Sequence, residues 1–323
     1  MIFNMSKYRI KPFAPQDIKT YSLQSRKSKV DIKKFAQVFA PDEKFSRFVD
    51  SLPDVLAGKD FKEFITLMGK ARKQDKAIIW ALGAHVIKVG LNPVIIDLMK
   101  EGWVTSLAFN GAVIIHDFEV ALAGQTSEDV ESQLKNGRFG MAQETAEVLN
   151  EAINQGEKKE VGLGETLGEM LSKSNYPYKT MSLLATAYDL NIPVTVHVAI
   201  GTDIIHSHPK AKGEAFGKLS HRDFFLFCSL LEGLEEGGVF LNVGSAVILP
   251  EVFLKALSLV RNRGNLLKGF TTAVFDFIHH YRPCQNVVKR PHGEKGKGFY
   301  FIGHHELLIP LLAASLKSSG LGK

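Results

Sequence analysis

Residues 106–124 read SLAFNGAVIIHDFEVALAG. Leu107 to Phe109 form an apolar run of strand type, and the run breaks at Asn110-Gly111-Ala112. A second apolar patch follows, with His116-Asp117 at or near the start of a helix. A core strand that stops in small residues and passes into a helix is the repeating unit of a parallel sheet. What decides the fold is how often the chain repeats it.

It repeats it from Phe61 to the end. KAIIWALGAHVIKVG reads as strand and loop, and Asn92-Pro93 then opens a helix that stops at Gly102. Proline at the first helical position and glycine just past the last are the expected punctuation. After the quoted strand a long helical stretch, Glu128 to Gly156, is rich in Glu, Gln and Ala. Further strands are expected in IPVTVHVAIG, GVFLNVG, FTTAVFDF and GFYFIG, separated by helical segments and closed by ELLIPLLAASLKSS. Near-continuous apolar strands alternating with helices predict an α/β, doubly wound, mostly parallel sheet with helices on both faces. Residues 1–60 are polar, basic and interrupted by proline. They read as a helical N-terminal extension, with a helix near Asp42 to Leu56, packed on a Rossmann-like domain spanning 61–323.

The chain has 323 residues, 45% hydrophobic and 23% charged, which is enough apolar material for a substantial core. Its net charge of +6 is concentrated in the first forty residues and in Lys289 to Lys297. With no known nucleic-acid motif, these clusters read as solvated basic edges. The two cysteines form neither a disulfide framework nor a zinc pattern, so a reducing cytoplasm is the expected setting. Cys228 reads as a small core residue, whereas Cys284 lies in a polar loop that could be exposed. No apolar run approaches the roughly 18 residues of a membrane span. His206 and His208 are two apart, but no cysteine or carboxylate set completes a metal site.

In a doubly wound sheet the ligand crevice lies at the carboxyl ends of the strands. Those ends are GAHVIKVG, with Gly83, Ala84 and Gly90; Asn110-Gly111-Ala112, with His116 and Asp117 beyond; and Gly201-Thr202-Asp203, with an acceptor suited to a ribose hydroxyl. Gly244-Ser245, then Thr271, Thr272 and Asp276, and finally Gly303-His304-His305 follow. Six ends rich in Gly, Ser, Thr, Asp or His predict a crevice of dinucleotide size.

The order of these segments resembles the deoxyhypusine synthase family over roughly residues 76–312. LGAHVIKVGLNPVIIDLMKEGWV is similar to the family's first nucleotide loop, and NGAVIIHD to its bacterial TGAN-x-x-HD form, with Asn110 for Thr. NIPVTVHVAIGTD, LNVGSAVILPE, FTTAVFDF and FYFIGHHELLIPLL resemble later segments in order. The resemblance implies NAD as cofactor, held by Gly83, Ala84, Gly90, Asn110, Gly111, Ala112, Thr202, Asp203, Gly244, Ser245, Thr272, Ala273 and His304. It also implies His116, Asp117 and Asp276 as catalytic groups, a homo-oligomer (dimer or tetramer), and a small-molecule substrate of the amine class.

The departures matter as much. The family's imine-forming lysine falls on Pro291, and Lys289, two residues away, is the nearest stand-in. Glu251-Val252-Phe253 replaces the family's Lys-His-His, Gln285 an acidic residue, and His304 an aspartate. The expectation is therefore a divergent NAD-dependent enzyme that oxidises an amine to an imine with group transfer, on an unidentified substrate that need not be the family's polyamine. The alternatives are a non-catalytic nucleotide-binding homologue and a true deoxyhypusine or homospermidine synthase using Lys289.

Overall fold

A computed structural model describes residues 7–293 and 295–320. Six strands form one sheet: β1 (Ile78–Leu82), β2 (Ser106–Asn110), β3 (Val194–His197), β4 (Val239–Val243), β5 (Thr271–Asp276) and β6 (Lys297–Ile302). The order is β3-β2-β1-β4-β5-β6 and every neighbouring pair is parallel. The expected doubly wound α/β fold is what the chain adopts.

Successive side chains on a strand point to opposite faces. In β1, Ile78, Trp80 and Leu82 join one core, while Ile79 and Ala81 join the other. All five are fully buried, which is why the run reads as continuously apolar. The first face is covered by the helices Leu56–Lys73, Asn92–Lys100, Gly111–Ala123, Leu183–Asp189 and His305–Ser318, and the second by Ile248–Asn262 and the carboxyl half of Gly213–Glu232. Phe64, from the first of these helices, meets Phe275, Phe299 and Phe301 at 5.7 Å. Burying each such ring is worth about 1.5–3 kcal/mol.

The Leu56–Lys73 helix runs across residue 60 and carries Phe61, Phe64, Ile65 and Met68 into the core. The Phe45–Ser51 helix packs against His305–Ser318, whereas residues 7–37 are exposed. The stretch Glu128 to Gly156 divides into Val130–Leu134 and Gln143–Gly156. Gly137 (φ +64°) and Gly140 (φ +76°) turn the chain between them through the left-handed region. Cys284 is buried, because a π-helical segment, Cys284–Lys289, packs onto β5 and β6. No helix among the described residues is long and apolar enough to cross a membrane.

Candidate active site at the carboxyl edge of the sheet

β1 and β4 are neighbours, yet the chain continues from β1 toward β2 on one side and from β4 toward β5 on the other. In doubly wound sheets such a reversal is where a ligand crevice opens. Gly83 ends β1 and Gly244 ends β4. A Cβ on Gly83 would stand 2.1 Å from the Gly244 carbonyl oxygen. Gly244 has φ +69°, and a Cβ there would stand 3.0 Å from Cε1 of His305. Neither position admits a side chain, so only backbone is presented at the ends of these two strands.

Two histidines meet beside it. His305 is fully buried, and its Nε2 lies 3.0 Å from the Phe275 carbonyl oxygen. Its Nδ1 lies 2.7 Å from Nδ1 of His85, and Phe277 packs on both rings at 5.4 and 6.1 Å. Burial pushes His305 below the ordinary histidine range. His85 sits in an apolar run with nothing to mark it, whereas His305 belongs to the Gly303-His304-His305 strand end; 220 residues separate the two, so their pairing leaves no signal in the sequence. His304, the residue expected there, is exposed and faces Glu306 at 3.8 Å.

The ends of β2 and β3 form a second wall. Asn110 accepts a hydrogen bond from the Val113 amide and caps the Gly111–Ala123 helix. A Cβ on Gly111 would fall 1.9 Å from Oδ2 of Asp203. That carboxylate is buried, its Oδ2 has no hydrogen-bond partner, and burial raises its pKa from 3.8 to about 6. Ala112, His116, Glu119, Lys88, Thr202 and Asp203 line a cavity of about 240 Å³ there.

His116 Nδ1 lies 2.6 Å from the Thr126 hydroxyl, which donates to Glu119; Thr145 donates to the other Glu119 oxygen at 3.0 Å. A hydroxyl has one proton, so Thr126 accepts from His116 Nδ1–H and the imidazole keeps its Nε2 lone pair. Burial, then Lys88, lowers the His116 pKa to about 4. Glu119 was not legible as a site residue, since its partners Thr126 and Thr145 lie outside any motif.

Other expected residues are differently employed. Asp117 is fully buried and accepts from Ser182 Oγ at 2.5 Å and the Leu183 and Leu184 amides at 2.7 and 3.1 Å. It anchors the start of the Leu183–Asp189 helix, and burial outweighs these bonds to raise its pKa to about 6. Ser245 Oγ accepts from the Leu249 amide at the start of the Ile248–Asn262 helix. Asp276 stays at the edge, accepting from the Phe277 amide at 2.8 Å with His280 Nε2 3.7 Å away. Gly90 (φ +75°) closes the turn after the short His85–Lys88 helix, and Ala84 precedes that turn.

Thr272 and Ala273 do not reach the crevice. They occupy the first half of β5, where Thr272 Oγ1 donates to Val287 O at 2.6 Å and meets His292 Nε2 at 2.8 Å. Lys289 is also apart from it. The segment between β5 and β6 runs back along the sheet, so Lys289 ends up exposed beside the amino ends of those strands. His206 turns inward to within 3.9 Å of Asp203 Oδ2 and packs on Phe216, and His208 Nδ1 accepts from the Lys210 amide.

No known family's sequence profile matches the chain, and no curated protein matches it by sequence. Solved structures do resemble its fold. A candidate deoxyhypusine synthase from Entamoeba histolytica superposes with TM-score 0.50 at 12% identity, over 87% of this chain and 95% of that one. A conserved candidate LOR/SDH protein from Methanococcus maripaludis S2 gives 0.51 at 13% identity, over 87% and 72%. An AgrE mutant bound to L-arginine gives 0.51 at 14% identity, over 88% of this chain but 34% of AgrE, so the chain spans about a third of that protein. At these identities the likeness is one of fold.

Proposed function

We propose that the chain is an NAD-dependent enzyme that oxidises an amine, with the dinucleotide lying across the carboxyl edge at the β1–β4 reversal. The observation that carries this is the buried Oδ2 of Asp203, which accepts no hydrogen bond, has His206 Nε2 no nearer than 3.9 Å, and is held against a glycine at a strand end. A buried carboxylate oxygen without a donor is costly unless a ligand supplies one. A ribose hydroxyl does so, and the side-chain-free approach at Gly83 and Gly244 suits a pyrophosphate or a flat ring. The residues therefore fit a dinucleotide. Gly83, Ala84, Gly111, Asp203 and Gly244 would hold it, and when bound it would supply a hydride acceptor.

The amine substrate rests on the resemblance to deoxyhypusine synthase. Neutral His116, with its Nε2 lone pair, lines the cavity beside Asp203. The family's lysine chemistry is disfavoured within one chain, because Lys289 sits by the amino ends of β5 and β6. That same placement favours, as the second reading, a nucleotide-binding protein without group transfer. A homo-oligomer belongs to the same proposal. Phe277, Ile278, Ile302 and Leu307 are 45–67% exposed around the carboxyl edge, and Phe225 is 51% exposed although its neighbour Phe227 is buried. Such apolar surface is expected to be covered by another copy. The test is NADH formation when the protein is incubated with NAD and, in turn, spermidine, agmatine, ornithine and arginine. NADH with one of them supports the enzyme; NAD binding without NADH from any supports the second reading.

A further inference from the structure

The His85–His305 pair has no part in the chemistry assigned above, yet it sits at the β1–β4 reversal. A carbonyl oxygen can only accept, so His305 Nε2, 3.0 Å from Phe275 O, carries the proton of that ring. A neutral His305 then has its lone pair on Nδ1. The contact of 2.7 Å to His85 Nδ1 is a hydrogen bond only if His85 donates it. His85 is thereby held with its proton on Nδ1 and its lone pair on Nε2. No group among the described residues is hydrogen-bonded to that nitrogen, and the ring is half-buried.

The fold supplies each part of this arrangement. His85 opens the short helix after β1, directly beyond the side-chain-free Gly83. His305 is the first residue of the last helix and lies over Gly244. Phe277, at the end of β5, packs on both rings and restricts their rotation. An imidazole whose tautomer is set by a buried partner is the arrangement general-base histidines require.

We infer that His85 is the proton acceptor of the crevice and His305 its positioning residue, the ligand group being a protonated amine. This rests on the dinucleotide and amine reading above. Nε2 takes one proton from the ammonium nitrogen, the imidazole becomes imidazolium, and the amine is left neutral with its lone pair free. No electron pair leaves the substrate in this step. Imidazolium is compatible with the pair, because Nδ1–H of His85 still donates to His305. His116, behind the Asp203 wall, belongs to the other end of the crevice.

The test is nitrogen-15 NMR of the histidine rings in the full chain, free and with NAD, above pH 8, together with calorimetric NAD titration. The expected result is a neutral His85 protonated at Nδ1 in both states, with His305 protonated at Nε2. In His305→Phe, His85 should lose its fixed tautomer while NAD still binds. Diethyl pyrocarbonate, which acylates unprotonated imidazole nitrogen, should modify His85; NAD at ten times its Kd should slow this about 11-fold by occupancy alone. His85 protonated at Nε2 would overturn the inference and leave the cofactor reading standing. His85 found doubly protonated with NAD bound would overturn it too, making the residue a phosphate ligand. Absence of NAD binding, with the tautomer as expected, would instead remove the cofactor reading and with it the assigned role.

Discussion

Replacing Asp203 by asparagine should change how stability depends on pH. In the unfolded chain this carboxyl loses its proton near 3.8, but in the folded chain burial holds the proton up to about 6. For an acid raised in this way the folded state is penalised as pH rises through that window. The penalty is absent well below pH 4 and complete above pH 6. A shift from 3.8 to about 6 corresponds to roughly 3 kcal/mol at neutral pH. Asparagine cannot ionise, so the stability of Asp203→Asn minus that of wild type should climb by about 2.4 kcal/mol between pH 4 and pH 7. Any constant cost of the amide moves the whole difference curve and leaves this slope untouched. His206, lowered by burial, titrates in the opposite sense, and it is present in both proteins along with the cavity's Lys88, His116, Glu119 and Glu128. An unfolding entropy near 2.1 cal/mol/K per residue converts the climb to roughly 4 °C in Tm for a chain of this size. Calorimetry of both proteins from pH 4 to 7.5 is the assay. A Tm difference that does not change with pH would refute the burial argument and the unpaired oxygen on which the ribose site depends.

Gly83→Ala places a Cβ 2.1 Å from the Gly244 carbonyl oxygen, so the strand ends must part. Overpacking of this kind costs typically 1–3 kcal/mol, seen as a lower Tm and lost NAD binding; an unchanged Tm would contradict the close approach. Asp117→Ala leaves Ser182 Oγ and two buried amides without their acceptor. Each buried donor left unsatisfied costs about 1–3 kcal/mol, so a clear loss of stability is expected, and a thermal scan showing wild-type Tm would make Asp117 a functional group instead. Lys289→Ala, at an exposed position, should stay within about 0.5 kcal/mol of wild type and keep its NAD affinity. Light scattering should give a multiple of the 35.7 kDa chain mass, and the single-chain mass would remove the oligomer.

The fold was legible because each strand is buried on both faces and so leaves an uninterrupted apolar run, as Ile78–Leu82 does. Helix limits were less so. Leu163–Ser172 escaped notice because Gly164 and Gly168 dilute its pattern. Gly164 is there for packing, since a Cβ would stand 2.1 Å from Val194 O. In the site, Gly83, Gly111, Asp203 and Gly244 follow from one rule about strand ends. Thr272 broke the rule because FTTAVFDF carries its threonines at the start of the strand. The anchoring contacts of Asp117 are not legible, because a buried carboxylate that holds the start of a helix 65 residues later looks, in sequence, like any acid beside a histidine. His305 stands at a strand end that the rule picks out, but its pairing with His85 was invisible because only the sheet brings the two together.

The central claim is that a dinucleotide lies across this edge with a ribose hydroxyl on Asp203. Isothermal titration of wild type and Asp203→Ala with NAD, NADH and ADP-ribose tests it most directly. The account predicts saturable one-to-one heat with wild type at millimolar ligand. Loss of a hydrogen bond to a charged acceptor, about 1.5–3 kcal/mol, should weaken the variant roughly 10- to 150-fold. No saturable heat from any of the three ligands, or equal affinity in the two proteins, would contradict it.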